Sequence, residues 1–207
     1  DTAGLRKKSS AKEDIEFYST IRAVKALEEA DVCLLMVDAV QGLTAQDVNI
    51  FSLATRKGKG IILGMNKWDL VPKETMTSKR LEEEILRKLA PFTDVPVLFI
   101  SATEKLRIHK VLEECLAVFE RRQQKISTSK LNDIMLKEIQ HFPAPMFRGN
   151  PVTIKFVSQL PVVVPSFAFY CNHPDEIRDA YRHFLENKLR SHFNFKGVPI
   201  RIFFRKK

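Results

Sequence analysis

The sequence predicts two consecutive modules: an α/β module built on a parallel sheet with crossover helices, and a smaller α+β module of α-β-β-α-β order. In the first part of the chain, short apolar runs alternate with helix-length amphipathic segments, the pattern of a parallel sheet. The charge balance also changes: residues 1–120 carry 18 Lys and Arg against 19 Asp and Glu, and residues 121–207 carry 16 against 6. We therefore expect a first module at residues 1–124 and a basic second module at residues 125–207.

The first module is expected to contain buried strands joined by amphipathic helices. Runs that are almost wholly apolar, as in strands covered on both faces, lie at residues 32–37, 61–65 and 97–100. Apolar residues at three- and four-residue spacings predict helices at residues 16–30, 44–57, 78–89 and 104–124. Thr44 and Ser78 are suitable N-cap residues for two of these helices.

The second module is expected to contain two helices and three strands. Its first helix is separated from its first strand by residues 141–151, where three prolines and a glycine exclude a helix. The predicted elements, in order, are a helix at 131–140, strands at 152–157 and 166–170, a helix at 174–193 and a strand at 199–204.

Composition excludes several classes of protein. Apolar residues make up 44% of the 207 residues and charged residues 29%, which suits a packed core and excludes a disordered or collagen-like chain. The longest apolar runs fall far below the roughly 20 residues that a membrane-spanning helix needs. The charged residues 1–8 do not resemble a secretory signal. We therefore expect a cytoplasmic protein without a membrane span.

Polar clusters follow two of the predicted strands, and a third cluster opens the chain. Asn66-Lys67-Trp68-Asp69 comes directly after the second strand and Ser101-Ala102-Thr103 directly after the third, while the chain begins with Asp1-Thr2-Ala3-Gly4. Ligands of parallel sheets bind at the carboxyl ends of the strands, where these clusters lie. In chain order they match the DxxG, NKxD and SAx motifs of GTP-binding domains.

Each motif suits a separate part of a guanine nucleotide. The Asp69 carboxylate can accept two hydrogen bonds from the ring N–H and the exocyclic amine of guanine, a pair that adenine does not offer. Asn66 can fix the loop and reach the base, and the Lys67 stem can lie over the purine plane. Backbone N–H groups at Ser101 and Ala102 can meet the guanine carbonyl oxygen. The alternative is that Asp69 and Ser101 merely cap the turn and the helix that follow them.

The opening cluster suits the phosphates of GTP or GDP and their Mg²⁺ ion. Asp1 can bind Mg²⁺ through water, and Gly4 allows a backbone N–H to approach the terminal phosphate. A phosphate loop of the form GxxxxGK[ST] is absent from the 207 residues. We therefore expect the chain to begin within its nucleotide-binding domain, and to bind GTP weakly and hydrolyse it negligibly without that loop.

The chain resembles the Der (EngA) family of bacterial ribosome-assembly GTPases along its whole length. The resemblance rests on residues 1–8, 17–23, 38–47, 66–71, 182–190 and 197–202. It implies a second GTPase domain lacking its phosphate-loop part, followed by a KH-like domain, with the first of the family's two GTPase domains missing. It also implies a GTP-dependent function in maturation of the large ribosomal subunit, with contact to its rRNA.

Two positions limit what the resemblance implies about catalysis and RNA binding. Leu5 occupies the place where Ras-like proteins have a glutamine that orients the attacking water, so we assign no catalytic residue. The second module has no GxxG loop of the kind that KH domains use to grip RNA. Contact with RNA or with another domain is therefore expected from basic residues at the end of the chain, namely Arg201, Arg205, Lys206 and Lys207.

Two other functions remain open. The chain can be a docking module for RNA or for another domain that works independently of nucleotide, and the gain of GTP binding on restoring a phosphate loop would exclude this. It can also be an Era-like GTPase, although the KH module of Era carries the GxxG loop that is absent here. The basic final strand has an alternative interpretation too, as a solvated edge strand that arginine and lysine protect from aggregation.

Overall fold

A computed structural model describes residues 24–72, 77–146 and 148–206 of the chain. The chain divides into two compact units, Asp1–Phe119 and Glu120–Lys207. The division between Phe119 and Glu120 falls within the helix that ends at Gln123. The domain boundary predicted at 124/125 lies a few residues later and stays a prediction. Among the described residues, each unit has one three-stranded sheet.

The first unit is a parallel sheet with connecting helices, as the sequence predicts. Its three strands lie side by side in chain order, and all neighbours are parallel. After a helical stretch at residues 24–29, the elements are β1 (Val32–Asp38), α1 (Ala45–Arg56), β2 (Gly60–Asn66), a 3-10 turn (Trp68–Leu70), α2 (Thr77–Lys88), β3 (Val97–Phe99) and α3 (Ile108–Gln123).

Strand β2 lies at the centre of this sheet. Its residues from Gly60 to Met65 are all buried, which explains why the sequence there is continuously apolar rather than alternating. Helix α1 begins at a capping box: the Thr44 hydroxyl accepts from the Asp47 N–H, and the Asp47 carboxylate accepts from the Thr44 N–H at 2.9 Å. The N-cap predicted at Thr44 is confirmed.

The second unit has the predicted α-β-β-α-β order. Its first two strands are antiparallel, its second and third strands are parallel, and the second strand lies at the centre of the sheet. Phe167, Phe169, Leu185 and Leu189 are fully buried and pack in the core of this unit. The elements are α4 (Thr128–His141), β4 (Ile154–Gln159), β5 (Ser166–Cys171), a 3-10 turn (Pro174–Glu176), α5 (Asp179–His192) and β6 (Arg201–Lys206).

Two predicted helices are shorter in the structure. The helix predicted at 104–124 begins only at Ile108, because Ser101 and Leu106 form a β-bridge and Lys105 and Arg107 have positive φ angles. The helix predicted at 174–193 is interrupted at Ile177, where the backbone is extended and the side chain is buried.

One predicted cap is also wrong. Ser78 lies inside helix α2, which begins at Thr77, so it does not cap the helix. The first part of the helix predicted at 16–30 falls outside the described residues. None of the helices in the described part of the chain combines the length and the apolar character that crossing a bilayer requires.

Candidate functional site

Three segments meet at the carboxyl edge of the first sheet. Asp38 and Asn66 are paired residues at the ends of β1 and β2. The chain after β3 is tied to the loop after β2, because the Ile100 N–H donates to the Met65 oxygen at 2.9 Å and the Trp68 N–H donates to the Ile100 oxygen at 3.0 Å. The NKxD and SAx segments therefore share one edge of the sheet.

Asn66 links the two segments through its side chain. Its Oδ1 atom accepts a hydrogen bond from the Ala102 N–H at 3.0 Å. This bond fixes the loop after β3 against the end of β2 and uses the N–H group that the sequence assigned to a guanine carbonyl. Contact between Ala102 and a base therefore stays a prediction.

Lys67 has a left-handed backbone and an ion-paired side chain. Its φ angle is 62°, and its Nζ atom lies 2.7 Å from Oδ2 of Asp38. Hydrogen bonding from Lys67, together with the N–H groups of Val40 and Gln41, holds the pKa of the Asp38 carboxyl below its ordinary value. The sequence analysis did not identify Asp38 as a site residue. Its position at the end of β1, in register with Asn66, is the signal that points to it.

Asp69 lies on a short turn that is anchored by a buried neighbouring side chain. It is the central residue of the 3-10 turn Trp68–Leu70, and the buried Trp68 ring contacts the Phe99 ring at a centroid distance of 4.5 Å. The Leu70 N–H closes the turn by donating to the Lys67 oxygen at 3.0 Å. The Asp69 side chain is exposed. Lys67, not Asp69, is the N-cap of this turn, and no side chain caps it.

Ser101 is fully buried, and its hydroxyl stabilises the turn that follows. Its Oγ atom accepts from the Glu104 N–H at 3.1 Å. Its backbone N–H donates to the Leu106 oxygen, and its backbone oxygen accepts from the Leu106 N–H. The hydroxyl therefore stabilises the turn at 102–105 and does not cap the helix, which begins at Ile108, so the capping alternative for Ser101 is wrong. Its N–H donates to the Leu106 oxygen at 3.4 Å, so contact of this group with a base also stays a prediction.

The predicted phosphate and metal residues lie elsewhere in the chain. Asp1 and Gly4 fall outside the described residues. Within residues 24–72, 77–146 and 148–206, no group of three or more His, Cys, Asp or Glu side chains is placed to hold a metal ion. The Mg²⁺ site that the sequence predicts at Asp1 therefore stays a prediction.

The basic residues predicted to contact RNA lie on the last strand of the second unit. Arg201, Phe203 and Arg205 are exposed along β6, and Ile202 between them is buried, so the strand alternates as expected. Lys206 is exposed, and Lys207 falls outside the described residues. A shallow depression lies on the exposed side of this strand, and we name it the β6 surface. It is lined by Leu160, Val162, Val163, Val164, Ser166, Arg201, Phe203 and Arg205.

Comparison with known proteins identifies the family. Residues 16–121 match the model of the elongation factor Tu GTP binding domain, and residues 125–205 match the KH-domain-like model of EngA bacterial GTPase enzymes, C-terminal. GTPase Der of Christiangramia forsetii is 54% identical over all 207 residues, and GTPase Der of Flavobacterium johnsoniae is 51% identical over the same length. The chain belongs to the GTPase Der (EngA) family.

The match with Der covers the whole chain but only part of each relative. The chain spans 48% of the Christiangramia forsetii protein and 47% of the Flavobacterium johnsoniae protein. A structure of Era with MgGDPNP and a segment of 16S ribosomal RNA is 16% identical, covering all of this chain and 74% of that one, at a TM-score of 0.47. These last values are too low to support an argument for an Era-like GTPase.

Proposed function

We propose that this chain is part of a guanine-nucleotide switch that binds and hydrolyses GTP with Mg²⁺ and acts in the cytoplasm in assembly of the large ribosomal subunit. Nucleotide is bound at the carboxyl edge of the first sheet. The KH-like unit contacts pre-ribosomal RNA through the β6 surface, and a first GTPase domain like that of the family is a partner. Membership of the Der family supports this proposal, and two features of the chain support its two parts.

The contact between the NKxD segment and the SAx segment is the observation that carries the nucleotide part. The Asn66–Ala102 hydrogen bond and the Trp68–Ile100 backbone hydrogen bond fix the end of β2 and its following turn against the chain after β3. The Asp69 carboxylate is exposed on a turn that the buried Trp68 side chain anchors. It is therefore available to two hydrogen-bond donors on one edge of a nucleobase. An edge-on carboxylate selects guanine, because only guanine presents adjacent N–H donors there.

The 207 residues supply only part of a GTP site. The phosphates and Mg²⁺ are assigned to Asp1 and Gly4, and the sequence contains no phosphate loop to supply the backbone N–H cradle and the lysine. We therefore expect the chain alone to recognise the guanine base while binding GTP weakly and hydrolysing it negligibly. Micromolar affinity of the chain for GTP in calorimetry would contradict this expectation.

The β6 surface supports the RNA part. Exposed arginines beside an exposed aromatic ring form the combination that binds single-stranded nucleic acid, because cations meet phosphates and the ring stacks on a base. Phe203 is 42% exposed and lies between Arg201 and Arg205 on the same face of the strand. Val162 and Val163 also line the depression and extend its apolar area.

Replacing Asp69 by asparagine tests the nucleotide part. NMR titration of the 207-residue chain with GDP and with xanthosine diphosphate measures the preference for each base. We expect D69N to lose affinity for GDP by roughly 10- to 150-fold, because a hydrogen bond to a charged group contributes about 1.5–3 kcal/mol. The variant should gain relative affinity for xanthosine diphosphate, whose base has an oxygen in place of the amine.

A matched control is available on the same unit. Glu83→Gln also converts an exposed carboxylate into an amide, on helix α2, and should leave both titrations unchanged. An unchanged order of preference in D69N would refute the proposed base site. To exclude the docking alternative, a phosphate-loop segment without the first GTPase domain can be joined to this chain, since a pure docking module would gain no GTP binding from it.

A further inference from the structure

We infer that Asp38 is the positioning residue for Lys67, holding its ammonium so that its aliphatic stem forms a fixed platform for the face of the purine ring. The inference rests on the proposed function, since it assigns a new residue to the same base site. Asp38 belongs to neither the NKxD nor the SAx segment. The structure brings it to the site through the pairing of β1 with β2.

Asp38 is itself held firmly. It ends β1 in register with Asn66, the last residue of β2, and the Ala39 N–H donates to the Asn66 oxygen at 2.8 Å. Its carboxylate uses its two oxygens separately. Oδ1 accepts the N–H groups of Val40 at 2.9 Å and Gln41 at 3.4 Å, while Oδ2 accepts the Lys67 ammonium at 2.7 Å. The Asp38 side chain is 18% exposed and the Lys67 side chain 53% exposed, so the carboxylate is the fixed partner.

Anchoring the ammonium changes what the lysine stem can do. A free lysine on a surface samples many rotamers and loses rotamer entropy when it is ordered. Because Asp38 binds the ammonium before any base arrives, part of this entropy is already lost in the protein alone. The four-carbon stem then spans the space from the end of β2 to the end of β1, and its apolar flank can cover a purine.

The backbone of Lys67 favours the same arrangement. Its φ angle of 62° is uncommon for a residue with a Cβ atom and persists only where neighbouring contacts hold it. Two contacts do so here: the Lys67 oxygen accepts from the Leu70 N–H, and the ammonium pairs with Asp38. The backbone hydrogen bond therefore holds the turn at Lys67, and the ion pair holds its side chain.

Asp38 should affect how tightly any of these purine nucleotides binds, whereas Asp69 should affect which of them is preferred. The platform contacts the face of the ring, which guanine, hypoxanthine and xanthine share, whereas Asp69 contacts the edge by which they differ. Loss of Asp38 should therefore weaken binding of GDP, inosine diphosphate and xanthosine diphosphate by the same factor. Loss of Asp69 should reorder the three.

The test is an NMR titration of the 207-residue chain at neutral pH with the three nucleoside diphosphates. We expect D38N to bind each of them about 2- to 10-fold more weakly, the cost of ordering one long side chain during binding. Glu28→Gln is the matched control, because it removes a carboxylate that also pairs with a lysine ammonium at 2.7 Å in the same unit. It should leave all three affinities unchanged.

A second variant and a change of salt keep the inference testable if D38N fails to fold. Lys67→Met keeps an apolar stem but removes the anchored charge, so it should lose as much affinity as D38N, and the double variant should lose no more than either. High salt should weaken binding by the wild-type chain toward the D38N value, because this ion pair is partly exposed. The NMR signal of the Lys67 ammonium should also sharpen only when Asp38 is present.

The outcomes separate this inference from the proposed function. If the wild-type chain prefers GDP but D38N binds all three nucleotides with wild-type affinity, the assignment of Asp38 is wrong and the base site stands. A loss in D38N that falls on GDP alone also overturns the assignment, because it indicates edge contact. If the wild-type chain binds none of the three, the proposed function fails and this inference fails with it.

Discussion

Strained backbone is concentrated around the candidate site. Among the described residues, Lys67, Lys105, Arg107 and Arg148 have positive φ angles without being glycine, and the first three lie in the loops after β2 and β3. Each of these three has a nearby contact that holds it. Lys67 has its ion pair, Lys105 lies within the Ser101–Leu106 bridge, and the Arg107 guanidinium donates to the Phe99 oxygen at 3.2 Å. Strain of this kind is common where loops are shaped to meet a ligand.

Tyr181 gives a residue-scale prediction in the second unit. Its hydroxyl donates to the Phe142 oxygen at 2.8 Å, and burial raises the pKa of Tyr181 to about 12 from an ordinary value of 10. Between these values the folded state keeps a proton that the unfolded state loses, so this group's stabilisation is full below pH 10 and is lost as pH rises toward 12. Tyr181→Phe should lower the free energy of unfolding by about 1 kcal/mol at pH 7.

Urea unfolding followed by circular dichroism measures both effects. The wild-type chain should lose more stability than Tyr181→Phe between pH 9 and pH 11, since the variant lacks the titrating hydroxyl. Tyr170→Phe is a suitable comparison, because Tyr170 is only half-buried on β5 and stacks on Phe156 instead. Identical pH profiles for the wild type and Tyr181→Phe would contradict the assignment of the raised pKa.

At the scale of elements, β2 could be predicted well because burial on both faces leaves a continuous apolar signal. The run at 32–37 was also predicted correctly as a strand, although Leu34 and Met36 in β1 are exposed and this strand is not covered on both faces.

The predicted helix boundaries were less accurate where contacts of the adjoining loop prevent a helix, even though the apolar residues recur at helical spacing. The residues before Ile108 and around Ile177 carry apolar side chains at helical spacing, yet a β-bridge and an extended, buried isoleucine interrupt them. Leu112 also lies at the apolar spacing that predicts the helix at 104–124 but is 59% exposed.

The candidate site could be predicted in part for a similar reason. Parallel strands end at one edge of a sheet, so residues that follow strands are brought together, as Asn66 and Ala102 are. The ion pair between Asp38 and Lys67 could not be read from spacing, because it depends on the strand register and on a left-handed φ angle. Residue type alone does not encode either property.

Glycine in strand β2 gives an element-scale prediction. A Cβ atom added at Gly60 would lie 2.6 Å from Cγ1 of Val118 on α3 and 3.1 Å from Cγ2 of Val32 on β1. Valine in a helix has one strongly preferred rotamer, so Val118 cannot easily move aside. Gly60→Ala should therefore cost about 1–3 kcal/mol of unfolding free energy by overpacking.

Gly64→Ala is the matched comparison in the same strand. Its Cβ atom would first meet Sδ of Met36 at 2.9 Å, the far part of a flexible side chain that is 44% exposed. The Gly64 variant should be clearly more stable than the Gly60 variant in thermal unfolding. Equal or reversed losses would contradict the view that α3 packs rigidly over the start of β2.

At the scale of the whole molecule, charge divides the chain into a nearly neutral part and a basic part. Residues 1–120 are close to neutral, whereas residues 121–207 carry 16 basic against 6 acidic side chains. Part of this basic charge is neutralised inside the second unit, where Glu138 pairs with both Lys188 and His192. The exposed arginines of the β6 surface are therefore better evidence for a polyanion-binding site than the net charge of the unit is.

Salt dependence tests this β6 surface directly. Binding of a single-stranded RNA to the 207-residue chain should weaken steeply as salt rises, because each phosphate contact releases counterions. Arg205→Ala should reduce the slope of log affinity against log salt by about 0.7, the contribution of one phosphate contact on a single strand. Phe203→Ala should weaken binding by about 1–3 kcal/mol without changing the slope, since a stacked ring contacts a base and no phosphate.

Arg178→Ala provides the control, because Arg178 is exposed on the same unit at the start of α5 and does not line the β6 surface. It removes the same charge and should change the slope far less than Arg205→Ala. If the two arginine variants lose the same slope, RNA responds to the general charge of the unit. If Phe203→Ala retains full affinity, the ring does not stack on a base, and the β6 surface is then a solvated edge that its arginines protect from aggregation.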